Sequence, residues 1–240
     1  MVKVLELFSG TRSVGKCCDA LGWESVSVDM ILPADHKCDV MDFDYKQYPK
    51  DEFDVIWASP PCTEYSRLQE CFIGRMRKGV IYTREQQEAS MKKADVLVEK
   101  TLEIINYFDC EYWFIENPQT GRMKDRSMMK DLDYYDIDYC MYSDWGYKKR
   151  TRIWTNKKGW QGKLCDKQCG NMLDGKHTSR MGTSKSVMHD GKLIRVNTAE
   201  LRQKYKDFDN INDTTNVNGC TTQQDRYRVP EDLIFSLFCD

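Results

Sequence analysis

The chain is expected to fold as an α/β protein built on an open, largely parallel sheet that carries a small irregular insertion. Three observations lead there. Over the first 120 residues short apolar runs alternate with helical patterns, the arrangement that produces parallel strands joined by crossover helices. Several of those runs end on Gly, Pro or an acidic residue, the residue types found where strand ends face a ligand crevice. From about Lys157 to Thr222 the periodicity fades, and Gly, Asn, Thr, Lys and Ser dominate.

Val2 to Phe8 reads as a first strand entering a Gly-containing turn, followed by a short helix through Cys17, Cys18, Ala20 and Leu21 that stops at Gly22. Ser25 to Val28 makes a second strand finishing at Asp29, and Asp54 to Ala58 a buried strand running into Ser59-Pro60-Pro61-Cys62. Arg84 to Phe108 is the clearest helix, with Ala94, Leu97, Val98, Thr101, Leu102, Ile105 and Phe108 on one face and Thr83 with Gln86 as a capping box. Tyr112 to Ile115 is a strand ending at Glu116-Asn117-Pro118. Asp136 to Tyr142 alternates loosely, and Arg152 to Thr155 closes the sheet. Residues 227–238 regain helical spacing, with Pro230 suited to a helix start. The expected division is residues 1–156 as the sheet-bearing domain, 157–222 as a basic insertion, and 223–240 as a helix returning to the first domain.

Composition narrows the function. Of 240 residues, 40% are hydrophobic and 12% aromatic, which is enough for a packed core. The net charge of −2 is a cancellation: residues 1–66 sum to −6, 67–144 to −3, 145–206 to +12 and 207–240 to −5. General basicity is therefore excluded as a means of binding nucleic acid, while a basic face within 145–206 is expected. No run of about 18 apolar residues exists, so a membrane span is excluded. The start, MVKVLELFSG, lacks the features of a secretory signal, and the 11 cysteines are too sparse for a disulfide scaffold. The expectation is reduced thiols in a cytoplasmic or otherwise intracellular setting, that of a host cell if the chain is viral.

Two residues stand out chemically. Cys62 follows two prolines directly after a buried strand, at the rim where open α/β sheets hold ligands. A thiol there can serve as a nucleophile, or simply as a small hydrophobe. Glu116 also sits at a strand end, where a carboxylate can protonate or hydrogen-bond a ring nitrogen, or can merely start a helix before Pro118. The turn after the first strand together with Asp29 suits either a nucleotide-type cofactor, with the carboxylate on ribose hydroxyls, or an ordinary strand end with a surface carboxylate.

Taken in order, LELFSG, SVD, CDV, SPPCTEYS, WFIENP and KKRTRIW resemble the DNA (cytosine-5) methyltransferase family over about residues 2–155, with a weaker echo near 226–238. The resemblance implies a Rossmann-like sheet that uses S-adenosylmethionine, with residues 1–156 as the catalytic, cofactor-binding domain and 157–222 as the target-recognition insertion. Pro61-Cys62 then corresponds to the catalytic Pro-Cys and Glu116-Asn117 to the Glu-Asn pair, with Arg150 and Arg152 as the arginines that touch the target base. It assigns the cofactor to Phe8, Gly10, Asp29 and Asp39, with their neighbours Ser9, Thr11, Met30 and Val40, and with Pro60 ahead of the catalytic pair. It further implies a cytosine-containing DNA substrate, a base flipped out of the duplex, and a monomer on DNA. Thr63, Pro118 and Lys148 stand where the family usually has Gln, Val and Gln, and the closing motif survives only as Val229-Pro230.

Within the basic stretch, Lys157, Lys158, Lys163, Lys176, Arg180 and Lys185 are candidate phosphate contacts, joined by Arg75, Arg77 and Lys78 after Cys62. Trp145, Tyr147 and Trp160 are suited to packing or stacking. Cys165, Cys169, His177 and Cys220 form a candidate zinc set, against the alternative of ordinary thiols and a surface histidine. Alternatives to the cytosine-5 reaction are an amino-group methyltransferase using Ser59-Pro60-Pro61-Cys62, a nucleic-acid-binding homologue without activity, and a nicotinamide oxidoreductase. The last lacks the full Gly-x-Gly-x-x-Gly pattern.

Overall fold

A computed structural model describes residues 1–77, 79–179, 185–196, 199–208 and 227–239. The chain forms two compact units: Met1–Asp136 with Thr151–Gln161, and Ile137–Arg150 with Gly162–Asp240.

In chain order the elements up to the last strand of the main sheet are β1 (Lys3–Leu7), α1 (Ser13–Leu21), β2 (Glu24–Val28), β3 (Val55–Ala58), β4 (Met76–Arg77), β5 (Val80–Ile81), α2 (Arg84–Tyr107), β6 (Tyr112–Pro118), β7 (Tyr134–Asp138) and β8 (Arg150–Thr155). The sheet order is β2-β1-β3-β6-β8-β7. Strands β2, β1, β3 and β6 run parallel, and β8 is antiparallel to β6, so the expected parallel sheet ends in a mixed edge. β3 is buried along its whole length, as a parallel strand covered on both faces should be.

Chain direction across the sheet reverses at β1: β2 lies on one side and β3 on the other. In open α/β sheets the ligand crevice forms outside the strand carboxyl ends at such a reversal. The residues leaving β1 and β3 therefore border that crevice.

Helix α1 stops at Gly22, whose φ of +68° lets its N–H reach Asp19 O. Helix α2 opens on the expected capping box, in which Gln86 N–H donates to Thr83 Oγ1 and Thr83 N–H donates to Gln86 Oε1. Its buried face holds Met91, Val98, Ile104 and Ile105, with Phe108 just beyond its end, while Ala94, Leu97 and Leu102 pack less deeply against the same core. Three polar residues, Gln87, Asp95 and Thr101, also lie inside that face.

The second unit contributes β9 (Met172–Leu173), β10 (Lys176–His177), β11 (Lys185–His189), β12 (Lys192–Val196), α3 (Ala199–Lys204) and α4 (Glu231–Cys239). β9–β10 and β11–β12 are antiparallel hairpins. Both turn on Asp-Gly with positive φ at both residues (Asp174 51°, Gly175 69°; Asp190 49°, Gly191 70°), the mirror-image turn that matches strand twist. The basic stretch is thus more regular than its faded periodicity implied, because two- and five-residue strands are too short to register as a period. Val187, Val196 and Tyr205 make a small core around the second hairpin. Gly146, at φ +75°, is needed by close packing: a Cβ there would lie 2.5 Å from Thr178 Oγ1. No helix among the described residues is long and apolar enough to cross a membrane.

Candidate active site

Four adjacent parallel strands deliver the expected residues to one carboxyl edge: Asp29 after β2, Phe8 to Thr11 after β1, Pro60 to Cys62 after β3, and Glu116-Asn117 at the end of β6. Register keeps them level, with Leu7 opposite Ala58 and Ala58 opposite Ile115. Ser59 N–H donates to Leu7 O, extending the β1–β3 pairing into the Pro-Pro-Cys segment.

The turn after β1 is tightly held. Phe8 adopts φ +57° and Gly10 φ +51°, and a bulky residue in that region is uncommon outside functional turns. Gly10 N–H donates to Asp29 Oδ2 at 2.9 Å, while Asp29 Oδ1 accepts from the N–H groups of Ile31 and Leu32. Asp29 therefore clamps the ends of β1 and β2 together. Ser9 is buried and its hydroxyl oxygen has no hydrogen-bond partner. A buried orphan of that kind calls for a partner outside the protein chain. Met30, after Asp29, is exposed, Val40 is buried, and Asp39 turns its own loop by accepting from Met41 N–H.

Glu6 went unnoticed in the sequence. On β1 it is 3% exposed, and its carboxylate accepts from Val14 N–H at 3.1 Å and Gly15 N–H at 3.0 Å, closing the first turn of α1. Burial pushes its pKa up to about 7 against the pull of those two donors.

At the other end of the edge, Asn117 Nδ2 donates to Pro60 O at 2.8 Å, bonding the Glu-Asn end of β6 to the Pro-Pro-Cys segment. Glu116 is buried and Cys62 half-buried. Tyr65 anchors the chain beyond Cys62: its N–H donates to Cys62 O, its carbonyl accepts from Arg122 N–H, and its hydroxyl donates to Asp95 Oδ1 at 2.9 Å. Asp95 in turn takes the Arg126 guanidinium, which also reaches Glu88. That buried Tyr65–Asp95–Arg126 set was invisible in sequence, since its members are 30 and 31 residues apart.

The two arginines differ. Arg152 is cross-strand from Asn117, but its Nε and Nη2 are bonded to Asp136 at 2.7 and 2.9 Å, and it lies 3.4 Å above the Tyr134 ring. Two of its three nitrogens are thus committed to the sheet. Arg150, in the second unit, is 43% exposed and approaches Asp138 at 3.4 Å.

The candidate phosphate contacts divide as well. Lys163, Lys176 and Arg75 are exposed, and exposed Lys158 pairs with Asp133. Lys157 is a correction: it is buried, with its ammonium 4.9 Å from the Tyr112 ring, and does not present a surface charge. Arg77 is half-buried, donates to Gln69 Oε1 and packs against Phe72 and Tyr82. Lys78 and Arg180 lie outside the described residues, as does the side chain of Lys185. The aromatic residues pack: Trp145 stacks on Tyr147 beneath Arg228, and Trp160 meets Tyr135 edge-on.

Of the candidate zinc set, Cys165, Cys169 and His177 come together, while Cys220 lies outside the described residues. Among the described residues, Cys140, 25 residues before Cys165, joins them.

Over 175 residues the chain is 43% identical to a protein of Frog virus 3 (isolate Goorha) described as a probable DNA (cytosine-5)-methyltransferase, a match covering 71% of this chain and 79% of that protein. Among solved structures, an Entamoeba histolytica methyltransferase aligns over 99% of this chain and 96% of its own, with a TM-score of 0.52 at 14% identity, a likeness of fold. No family model matches the chain.

Proposed function

The chain belongs to the DNA (cytosine-5)-methyltransferase family, and from that premise we propose that it moves a methyl group from S-adenosylmethionine to carbon 5 of cytosine in DNA, with Cys62 as nucleophile. The observation that carries the reading is the Asn117–Pro60 bond at 2.8 Å, which ties the nucleophile's segment to the strand end bearing Glu116.

Carbon 5 of cytosine is a weak nucleophile. Addition of the Cys62 thiolate to carbon 6 breaks the 5,6 double bond and shifts electron density onto carbon 5. Glu116, contacting N3, stabilises the ring as that density develops, and Arg150, with the remaining nitrogen of Arg152, serves the oxygen at carbon 2. S-adenosylmethionine, when bound, supplies the methyl group. Loss of the carbon-5 proton then restores the double bond and expels Cys62 as thiolate. A stacked base is closed to attack at carbon 6, so the target must leave the duplex.

The crevice fits that cofactor. The partnerless Ser9 hydroxyl, the Phe8–Gly10 turn and Asp29 border it, with Met30, Asp39 and Pro60 beside them. Thr11 and Val40 complete the set expected to hold it. Exposed Arg75, Lys158, Lys163 and Lys176 are assigned to DNA phosphates, alongside Lys78, Arg180 and Lys185.

A DNA library containing 5-fluorocytosine tests the reading, because fluorine at carbon 5 blocks the proton loss that frees Cys62. Incubation with S-adenosylmethionine is expected to leave DNA covalently attached at Cys62. A chain that methylates ordinary DNA but forms no adduct would have the amino-group chemistry instead.

A further inference from the structure

We infer that Cys140, Cys165, Cys169 and His177 form a structural zinc site that organises the second unit. The four ligand atoms lie within 4.8 Å of one another. Three of the separations are 3.5 Å (Cys165 Sγ to Cys169 Sγ), 3.5 Å (Cys165 Sγ to His177 Nε2) and 3.4 Å (Cys169 Sγ to His177 Nε2). Bonds of about 2.3 Å to sulfur and about 2.0 Å to nitrogen, set tetrahedrally, place ligand atoms roughly 3.5–3.8 Å apart. The group is already close to the spacing a single ion would impose. Three thiols and one imidazole are soft donors without a carboxylate, a set that selects zinc over calcium or magnesium. All four cysteine and histidine positions fall in one unit, and the three cysteines are free thiols.

The surroundings are those of a ligand shell. Lys167 N–H donates to Cys165 Sγ at 3.3 Å, stabilising a thiolate. Asp138, fully buried, accepts Cys165 N–H at 2.9 Å and Lys148 Nζ at 3.0 Å. Asn171 Nδ2 donates to the Cys140 carbonyl at 2.9 Å and to that of Ser143 at 2.7 Å, and its Oδ1 accepts Gly146 N–H. These bonds bring the 137–150 segment against the 162–177 loop, where β9 and β10 pair over only two residues each. A pairing that short does not stand alone in water. The ion would supply what the apolar contacts do not, each cysteine giving up its proton as it binds. The same segments carry Lys148, Arg150, Lys163 and Lys176, so the metal would hold the basic face in shape.

The full chain, purified without added zinc, is expected to hold one zinc per molecule by elemental analysis, released by a thiol-directed mercurial. Cys140→Ser is expected to lower that content at least tenfold, Cys220→Ser to leave it unchanged, and His177→Cys to retain it. Asp138→Asn is expected to weaken zinc affinity by about tenfold through the bonded Cys165 backbone. Should Cys140→Ser fail to fold, cobalt replacement in the wild-type chain decides, by the visible spectrum of a tetrahedral thiolate-rich site. A wild-type chain that binds neither zinc nor cobalt stoichiometrically overturns the proposal. So does a folded Cys140→Ser chain that keeps its zinc while Cys220→Ser loses it.

Discussion

Cys62 and Glu116 carry the proposed chemistry through position as much as through reactivity. The two prolines before Cys62 restrict its backbone, and Asn117 bonds the Pro60 carbonyl, so the thiol has little freedom relative to β6. Cys62→Ser is expected to cut methyl transfer by about 10³-fold or more while leaving DNA affinity intact, as measured by turnover and by binding titration. Glu6 is the residue whose protonation should appear in stability. Its pKa is raised on folding to about 7 from an ordinary 4.5, chiefly by burial, so the folded state binds the proton more tightly than the unfolded one. Its contribution is fully present below the unfolded value and is lost as pH rises from about 4.5 through about 7. Glu6→Gln is therefore expected to flatten the pH dependence of unfolding free energy across that window relative to wild type, a comparison made by denaturant titration.

At the level of elements, the carboxyl edge of the sheet is supported by α2. Asp95, inside the helix's buried face, takes both the Tyr65 hydroxyl and the Arg126 guanidinium, which ties the chain after Cys62 to the helix. Asp95→Ala leaves Arg126, whose side chain is only 17% exposed, with Glu88 as its remaining carboxylate partner, and is expected to cost about 2–3 kcal/mol of stability. Tyr65→Phe removes one hydrogen bond and is expected to cost about 1 kcal/mol, with both losses read from thermal or denaturant unfolding. The helix itself was legible in sequence, from apolar spacing and the Thr83–Gln86 box. The role of its buried Asp95 was not, because the partners Tyr65 and Arg126 lie across the fold. The hairpins of the second unit show the reverse: their Asp174-Gly175 and Asp190-Gly191 turns were visible as dipeptides, but strands this short had no periodicity to draw attention to them.

Over the whole molecule the near-zero net charge conceals a strong division, with +12 in residues 145–206 against acidic flanks. The logarithm of DNA affinity is accordingly expected to fall linearly with the logarithm of salt concentration. Lys163→Gln and Lys176→Gln, at exposed positions, should each reduce that slope by about one, whereas Lys157→Gln should leave it unchanged because its ammonium is buried over Tyr112. Filter-binding or fluorescence titration across a salt series checks all three. The α/β class, the strand ends and the residues that mark the family were legible along the chain alone. Each of these is a local feature: an apolar run, a proline pair before a cysteine, an acidic residue where a strand stops. Only the tertiary structure decided that Cys140 joins Cys165, Cys169 and His177, that Glu6 closes α1, that Asp136 holds Arg152, and that Lys157 is withdrawn from the surface. Those outcomes depend on groups brought together from distant parts of the chain, and a buried charge or a cluster of thiols leaves no mark on the residues beside it in sequence.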